Sequence, residues 1–203
     1  MAIQLAKMMG YRVATAASPR NHDLVKSYGA ELAFDYRSPT VVDDILAATG
    51  GGVPVAFDAI AEDVTIRISL AVTAQGGKLY GVLPASGDIK AARPDVEVSW
   101  PMNFTLFGKA YTFGFRDSLM EVPAAPGDRE FLDVLIKRAP ELFEAGLRGL
   151  PYEVRGGLAD LPAGMQDLKS GKVSRRPTSL QGCCVVLVQD DIDMVRMQAG
   201  FRA

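Results

Sequence analysis

From its first residues the chain spaces apolar side chains at helical intervals: Ala2, Leu5, Ala6 and Met9 share one face, Gln4 and Lys7 the other, and Gly10 ends the helix. Residues 12–17 follow as an apolar run with little alternation, the mark of a parallel strand buried on both faces. Ser18-Pro19 then supplies a cap and a first helical residue, predicting a helix with Leu24, Val25 and Tyr28 inward and Gly29 as its stop. A strand at 32–35 comes next. Ser38-Pro39 repeats the device, opening a helix through Val42, Ile45 and Leu46 that stops at Gly50-Gly51-Gly52. A strand at 53–58, a helical segment within 63–73 and, after Gly76-Gly77, a strand at 78–83 complete the series. Such regular alternation predicts an α/β fold, a parallel sheet with helices on its faces.

Beyond Pro84 the rhythm breaks into loops, with extended pieces at 96–100 and 105–111. Insertions that face a substrate often read this way. Two further helices are predicted: 128–139 with Phe131, Leu135 and Ile136 inward, divided by Pro140 from 141–145, and 158–168 with Leu161, Met165 and Leu168 inward. Residues 122–127 are a loop rich in Pro, Ala and Gly. In the tail, 184–189 suits a strand and 191–201 a helix.

With 203 residues, 48% hydrophobic and 23% charged, the chain is long enough for one sizeable core and short for two full domains. The net charge is -2 and the 22 Lys and Arg are scattered, so no basic stripe points to nucleic acid or to anionic lipid. No apolar run reaches the ~20 residues of a membrane span. Cys183 and Cys184 are adjacent, poor geometry for a mutual disulfide and the wrong spacing for zinc, which fits a reducing, cytoplasmic setting. Residues 1–18 are short of acids and carry Lys7 and Arg12, as a targeting peptide would, but their helix-then-strand pattern reads as ordinary core.

The chemistry concentrates where the strand at 12–17 ends. In a dinucleotide-binding sheet the second strand ends beside the adenosine ribose, and enzymes that use NAD place Asp or Glu there. Here that end reads Ser18-Pro19-Arg20-Asn21 and holds no acid. A hydroxyl, a guanidinium fork and the free amides of a helix start suit a 2′-phosphate, so the turn favours NADP over NAD. Taken alone, a cap followed by a solvated cation is the plainer reading, and more residues are needed to overturn it.

Those residues come from a resemblance. Ala2-Ile3-Gln4-Leu5-Ala6-Lys7, Ser18-Pro19-Arg20-Asn21, Gly29-Ala30 and Phe34-Asp35-Tyr36, in this order and spacing, resemble the zinc-independent branch of the medium-chain dehydrogenase/reductase superfamily. With Gly171-Lys172-Val173-Ser174 added, the pattern is similar to fungal trans-acting enoyl reductases of polyketide synthesis, across roughly residues 2–174. The resemblance implies a Rossmann-like NADP-binding domain. It carries adenosine-phosphate contacts onto Ser18, Pro19, Arg20, Asn21 and Tyr36, and approach to the nicotinamide onto Val82, Leu83, Val173 and Ser174. It makes Asn103, Phe104, Thr105, Leu106 and Phe107 a substrate-facing segment, for which a plain core strand is an equal reading. Tyr36 as simple packing, Asp58 as ribose contact or helix cap, and His22 as a solvated residue complete the candidates. No catalytic residue and no metal ligand is assigned.

The implied reaction is hydride transfer from NADPH to the C=C of an enoyl thioester or to a quinone-like alkene, with a polyketide synthase as a possible partner. Non-catalytic alternatives are an NADP-binding or interaction remnant, and a further one is half of a zinc-type alcohol dehydrogenase. Because the chain opens within a helix, the family's first strand, its Gly-rich turn and its N-terminal catalytic domain are expected to be missing, leaving residues 1–174 a partial domain and 175–203 a divergent tail. In strand order 3-2-1-4-5-6 the first strand is central. Its loss would leave two half-sheets with unpaired inner edges that re-pair or leave the chain unstable, each buried unsatisfied group costing about 1 to 3 kcal/mol. A chain in that state is expected to be inactive alone.

Overall fold

Five consecutive buried residues, Val13 to Ala17, set the centre of the molecule on β1 (Arg12–Ala17). A strand buried on both faces needs a packed layer on each, and the alternation of its side chains supplies two. Ala14 and Ala16 pack into one cluster with Val41, Ile45, Ile66, Leu70 and Leu79, while Val13 and Ala17 pack into another with Ile3, Ala6, Val25 and Tyr28. The computed structural model describes residues 1–115, 118–149, 156–170 and 183–189. The chain divides into two compact units, residues 1–100 with 149–203, and residues 101–148.

The first unit holds a six-stranded sheet in the order β2-β1-β8-β3-β4-β5, where β2 is Leu32–Phe34, β3 Val53–Asp58, β4 Thr73–Gly81, β5 Glu97–Ser99 and β8 Cys183–Gln189. Helices α1 (Ala2–Met8) and α2 (His22–Ser27) contribute to one cluster, and α3 (Val41–Thr49), α4 (Asp63–Val72) and α5 (Gly87–Ala92) to the other. This is the predicted α/β architecture. Positive φ at Gly10, Gly29 and Gly50 marks the helix stops read from the sequence. Arg93 closes α4 by donating to the carbonyls of Leu70 and Thr73, both at 3.2 Å, while its pairing with Asp95 holds the Asp95 carboxyl below the usual range.

The central position changes the expected outcome. Instead of two half-sheets with bare inner edges, β8 pairs antiparallel with β1 from Arg12↔Gln189 to Ala17↔Cys183, and with β3 from Val55↔Val188 to Asp58↔Val185. Every other pairing in that sheet is parallel. The strand expected at 184–189 therefore exists and supplies main-chain partners to both inner edges. The helix expected at 191–201 lies outside the described residues.

Smaller corrections have local causes. The buried face of α1 carries Ile3, Gln4 and Ala6 rather than Ala2, Leu5, Ala6 and Met9, so the helix is rotated from the simplest periodic reading. Ser38-Pro39 forms a turn and α3 starts at Val41. β4 begins at Thr73 and bulges through Gly76 and Gly77, where a Cβ on Gly77 would lie 2.8 Å from the Pro54 carbonyl oxygen, and it ends before Val82 and Leu83. Beyond a three-residue 3-10 turn at Leu158–Asp160, α7 (Leu161–Lys169) leaves Leu161 and Met165 exposed rather than inward. The Leu168 side chain lies outside the description.

The second unit holds a hairpin of β6 (Tyr111–Phe115) and β7 (Ser118–Val122) and the long α6 (Pro126–Glu144). Pro140 does not divide that helix. The chain stays helical through it, losing one main-chain donor. Phe131 and Ile136, expected inward, are exposed. Residues 103–107, within and just before the extended piece expected at 105–111, instead form a 3-10 turn.

Candidate cofactor site

Parallel strands place their carboxyl ends along one edge, the edge at which doubly wound sheets bind ligands. The ends of β1 and β2 meet there, since Ala16 pairs with Phe34. From β1 the chain enters a short 3-10 turn, Pro19–Asn21, before α2. Ser18 is mostly buried, and the side-chain capping bond expected of it is not formed. Its carbonyl instead accepts from the Asn21 amide at 2.8 Å. Pro19 and Arg20 are exposed, and among the described residues Arg20 faces no carboxylate partner. Asn21 is buried and already engaged within the fold. His22, expected to be solvated, is half-buried, with Nε2 at 3.1 Å from the Ala17 carbonyl that it steadies.

The end of β2 adds a second cation that the sequence reading passed over. Arg37 donates from its main chain and from Nε to Oδ1 of Asp35, at 3.1 and 3.2 Å, and its guanidinium carbon lies 5.6 Å from the centroid of the Tyr36 ring. The hydrogen bond from Arg37 holds the Asp35 carboxyl below the usual carboxylate range, with a smaller attraction from His22. Tyr36 packs partly into the core while carrying Arg37 on its ring. The signal for Arg37 is present in the sequence, where a cation directly follows Phe34-Asp35-Tyr36.

Farther along the edge, Asp58 settles between its two readings. It is fully buried, and Oδ1 accepts from the amides of Ile60 at 2.9 Å and Ala61 at 2.8 Å while Ser69 Oγ donates to Oδ2 at 3.3 Å. These bonds fix a tight loop in which Ala61 takes φ 58°, and they use the carboxylate internally. The Asp58 carbonyl accepts from Val82 at 3.2 Å, so β3 and the end of β4 are tied together. Val82 and Leu83 themselves are exposed at this edge. Val173 and Ser174 lie outside the described residues.

In the second unit, Asn103, Phe104, Thr105, Leu106 and Phe107 form the 3-10 turn, which removes the core-strand reading. Thr105 hydrogen-bonds the Met102 carbonyl at 2.6 Å and the Asp128 carboxylate. Phe104 sits among Phe107, Tyr111 and Phe113 with ring centroids 5.9 to 6.4 Å away, and both Phe104 and Phe107 remain exposed.

The residue types at the turn fit the phosphorylated adenosine end of NADP: a guanidinium with no carboxylate partner among the described residues, a hydroxyl not used as a cap, and a second guanidinium, paired with Asp35, laid on an aromatic ring. The pyrophosphate cradle is not among the described residues. A dinucleotide sheet follows its central strand with a Gly-rich turn at this edge, whereas β8 runs the other way and brings Cys183 beside Ala17. Among the described residues no group of three or more His, Cys, Asp or Glu is gathered to hold a metal, and no helix is long and apolar enough to cross a membrane.

Residues 1–99 match the family model described as zinc-binding dehydrogenase. A trans-enoyl reductase of Macrophomina phaseolina is 39% identical over 181 residues, 85% of this chain and 48% of the relative, and one of Alternaria alternata is 37% identical over 177 residues, 86% and 49%. The chain spans about half the length of the curated relatives it matches. Among solved structures, the CurK enoyl reductase superposes with a TM-score of 0.63 at 20% identity, over 84% of this chain and 47% of that one. A Pseudomonas syringae quinone oxidoreductase gives 0.60 at 24%, over 88% and 50%, and a mycobacterial protein solved with NADPH gives 0.57 at 23%, over 92% and 52%. The chain belongs to the medium-chain dehydrogenase/reductase superfamily of oxidoreductases, and the relatives it matches there are fungal trans-enoyl reductases.

Proposed function

We propose that this chain is the cofactor-holding half of an NADPH-dependent enoyl reductase, and that its own task is to bind the 2′-phosphorylated adenosine end of NADP. The observation that carries this is the end of β1, where Arg20 is exposed with no carboxylate partner among the described residues and Ser18 makes no capping bond. Ser18, Pro19 and Arg20 would hold the phosphate, with Tyr36 and Arg37 flanking it, while Asn21 keeps the turn in shape. Val82 and Leu83, and with them Val173 and Ser174, would lie toward the nicotinamide, and residues 103–107 toward substrate. When bound, NADPH supplies the hydride for the C=C of an enoyl thioester or a quinone-like alkene. The kinship with trans-enoyl reductases supports the thioester, delivered by a polyketide synthase. The reversed polarity of β8 favours a second reading, a chain that binds the nucleotide without turnover of its own.

Calorimetry with NADPH and NADH tests the first claim. The reading predicts NADPH binding about 10-fold or more tighter than NADH, since charged hydrogen bonds contribute about 1.5 to 3 kcal/mol. Equal affinities would remove it.

A further inference from the structure

The position between β1 and β3 is where strand direction reverses, and its walls are the main-chain edges of those two strands. The residues that face it in register include Ala14, Ala16 and Ala17 on β1 and Val55, Ala56 and Phe57 on β3, side chains of mixed size. What they select is backbone, an extended segment able to exchange hydrogen bonds on both sides. Each wall is also held from behind. β1 keeps its ladder to β2 and β3 its ladder to β4, so the strand in the middle leaves both outer pairings in place. An open middle leaves two rows of main-chain donors and acceptors beside buried residues, a strong reason to accept a strand. The segment that does so is Cys183-Cys184-Val185-Val186-Leu187-Val188-Gln189, rich in β-branched residues, and its register slips between Ala16 and Ala17.

We propose that the gap between β1 and β3 is a strand-receiving slot whose occupant is the chain's own segment Cys183–Gln189, inserted in reverse, and that a strand of similar composition takes its place when that segment cannot pair. The proposal rests on sheet pairing and stands whether or not the chain binds NADP. Seated in this direction, the tail completes the sheet while occupying the place that a parallel strand with a phosphate-binding turn would need.

Hydrogen exchange of the full chain, read by mass spectrometry, tests it together with a Val186→Pro variant, because Val186 pairs with both Thr15 and Phe57 and proline cannot donate to a ladder. A Val186→Ile chain is the control. In the unmutated chain β1 and β3 should exchange as slowly as β4, and in Val186→Pro at least about 10-fold faster, by the main-chain partners lost. A labelled peptide of residues 181–191, kept reduced, should bind the proline variant, restore protection of β1 and β3, and leave the unmutated and isoleucine chains unbound. Rapid exchange of β1 and β3 in the unmutated chain, unchanged exchange in the proline variant, or a peptide that fails to restore protection would each overturn the proposal. A dimer whose β1 protection falls on dilution would overturn the own-chain assignment in favour of a second copy.

Discussion

Two buried parallel strands, β1 and β3, end at the same edge and use their polar residues in opposite ways. At the end of β3 the Asp58 carboxylate is fully buried and takes up the amides of Ile60 and Ala61 and the hydroxyl of Ser69. At the end of β1 the Ser18 side chain caps nothing and Arg20 lies exposed without a carboxylate partner among the described residues. The contrast separates a polar group that the fold consumes from one that a ligand can use. Residue order alone does not separate them, since both ends read as an oxygen-bearing residue following an apolar run.

The comparison breaks most visibly if its framework is removed. Ile66 on α4 is buried at 1% exposure, and Ile66→Ala should cost about 2 to 5 kcal/mol by thermal or urea unfolding, acting on both ends alike. Asp58→Ala should cost about 1 to 3 kcal/mol for each buried donor it strands, seen as a lower melting temperature in the absence of any nucleotide. Arg20→Ala should do the reverse, leaving the melting temperature unchanged and weakening NADPH binding by about 10- to 100-fold in calorimetry. If Asp58→Ala weakened NADPH specifically, or Arg20→Ala unfolded the chain, the two ends would have exchanged roles.

The smallest effect concerns Asp35, which sharpens the β1 end. A carboxyl held by Arg37 below its unfolded pKa adds stability above the unfolded value, near 3.9, and loses it as pH falls through the folded value. Asp35→Asn should therefore show a slightly shallower fall in melting temperature below about pH 4 than the unmutated chain. The pair is exposed enough that solvent screens most of it.

The alternating architecture was legible because a strand buried on both faces and an amphipathic helix leave different apolar periods, and glycines at 10, 29 and 50 marked the stops. The candidate turn was legible as residue types: Ser, Arg and the absent acid. Two things were not. The filling of the central position depends on a segment more than 120 residues from its partners, and local periodicity could propose a strand at 184–189 but not its place or direction. The inward faces expected of α6 and α7 failed for a related reason: apolar spacing marks a face able to be buried, and burial needs a neighbour, which Phe131, Ile136, Leu161 and Met165 do not find among the described residues. Arg37 was legible as a cation following Tyr36, but its place on the Tyr36 ring and the bonded state of His22 are matters of three dimensions.

The central claim, that the end of β1 recognises a 2′-phosphate on adenosine, meets its most direct test in a calorimetric titration of the unmutated chain with adenosine 2′,5′-bisphosphate and with adenosine 5′-monophosphate. The bisphosphate should bind at least about 10-fold more tightly, as charged hydrogen bonds from a guanidinium require. Equal affinities for the two nucleotides would contradict the assignment of Ser18 and Arg20.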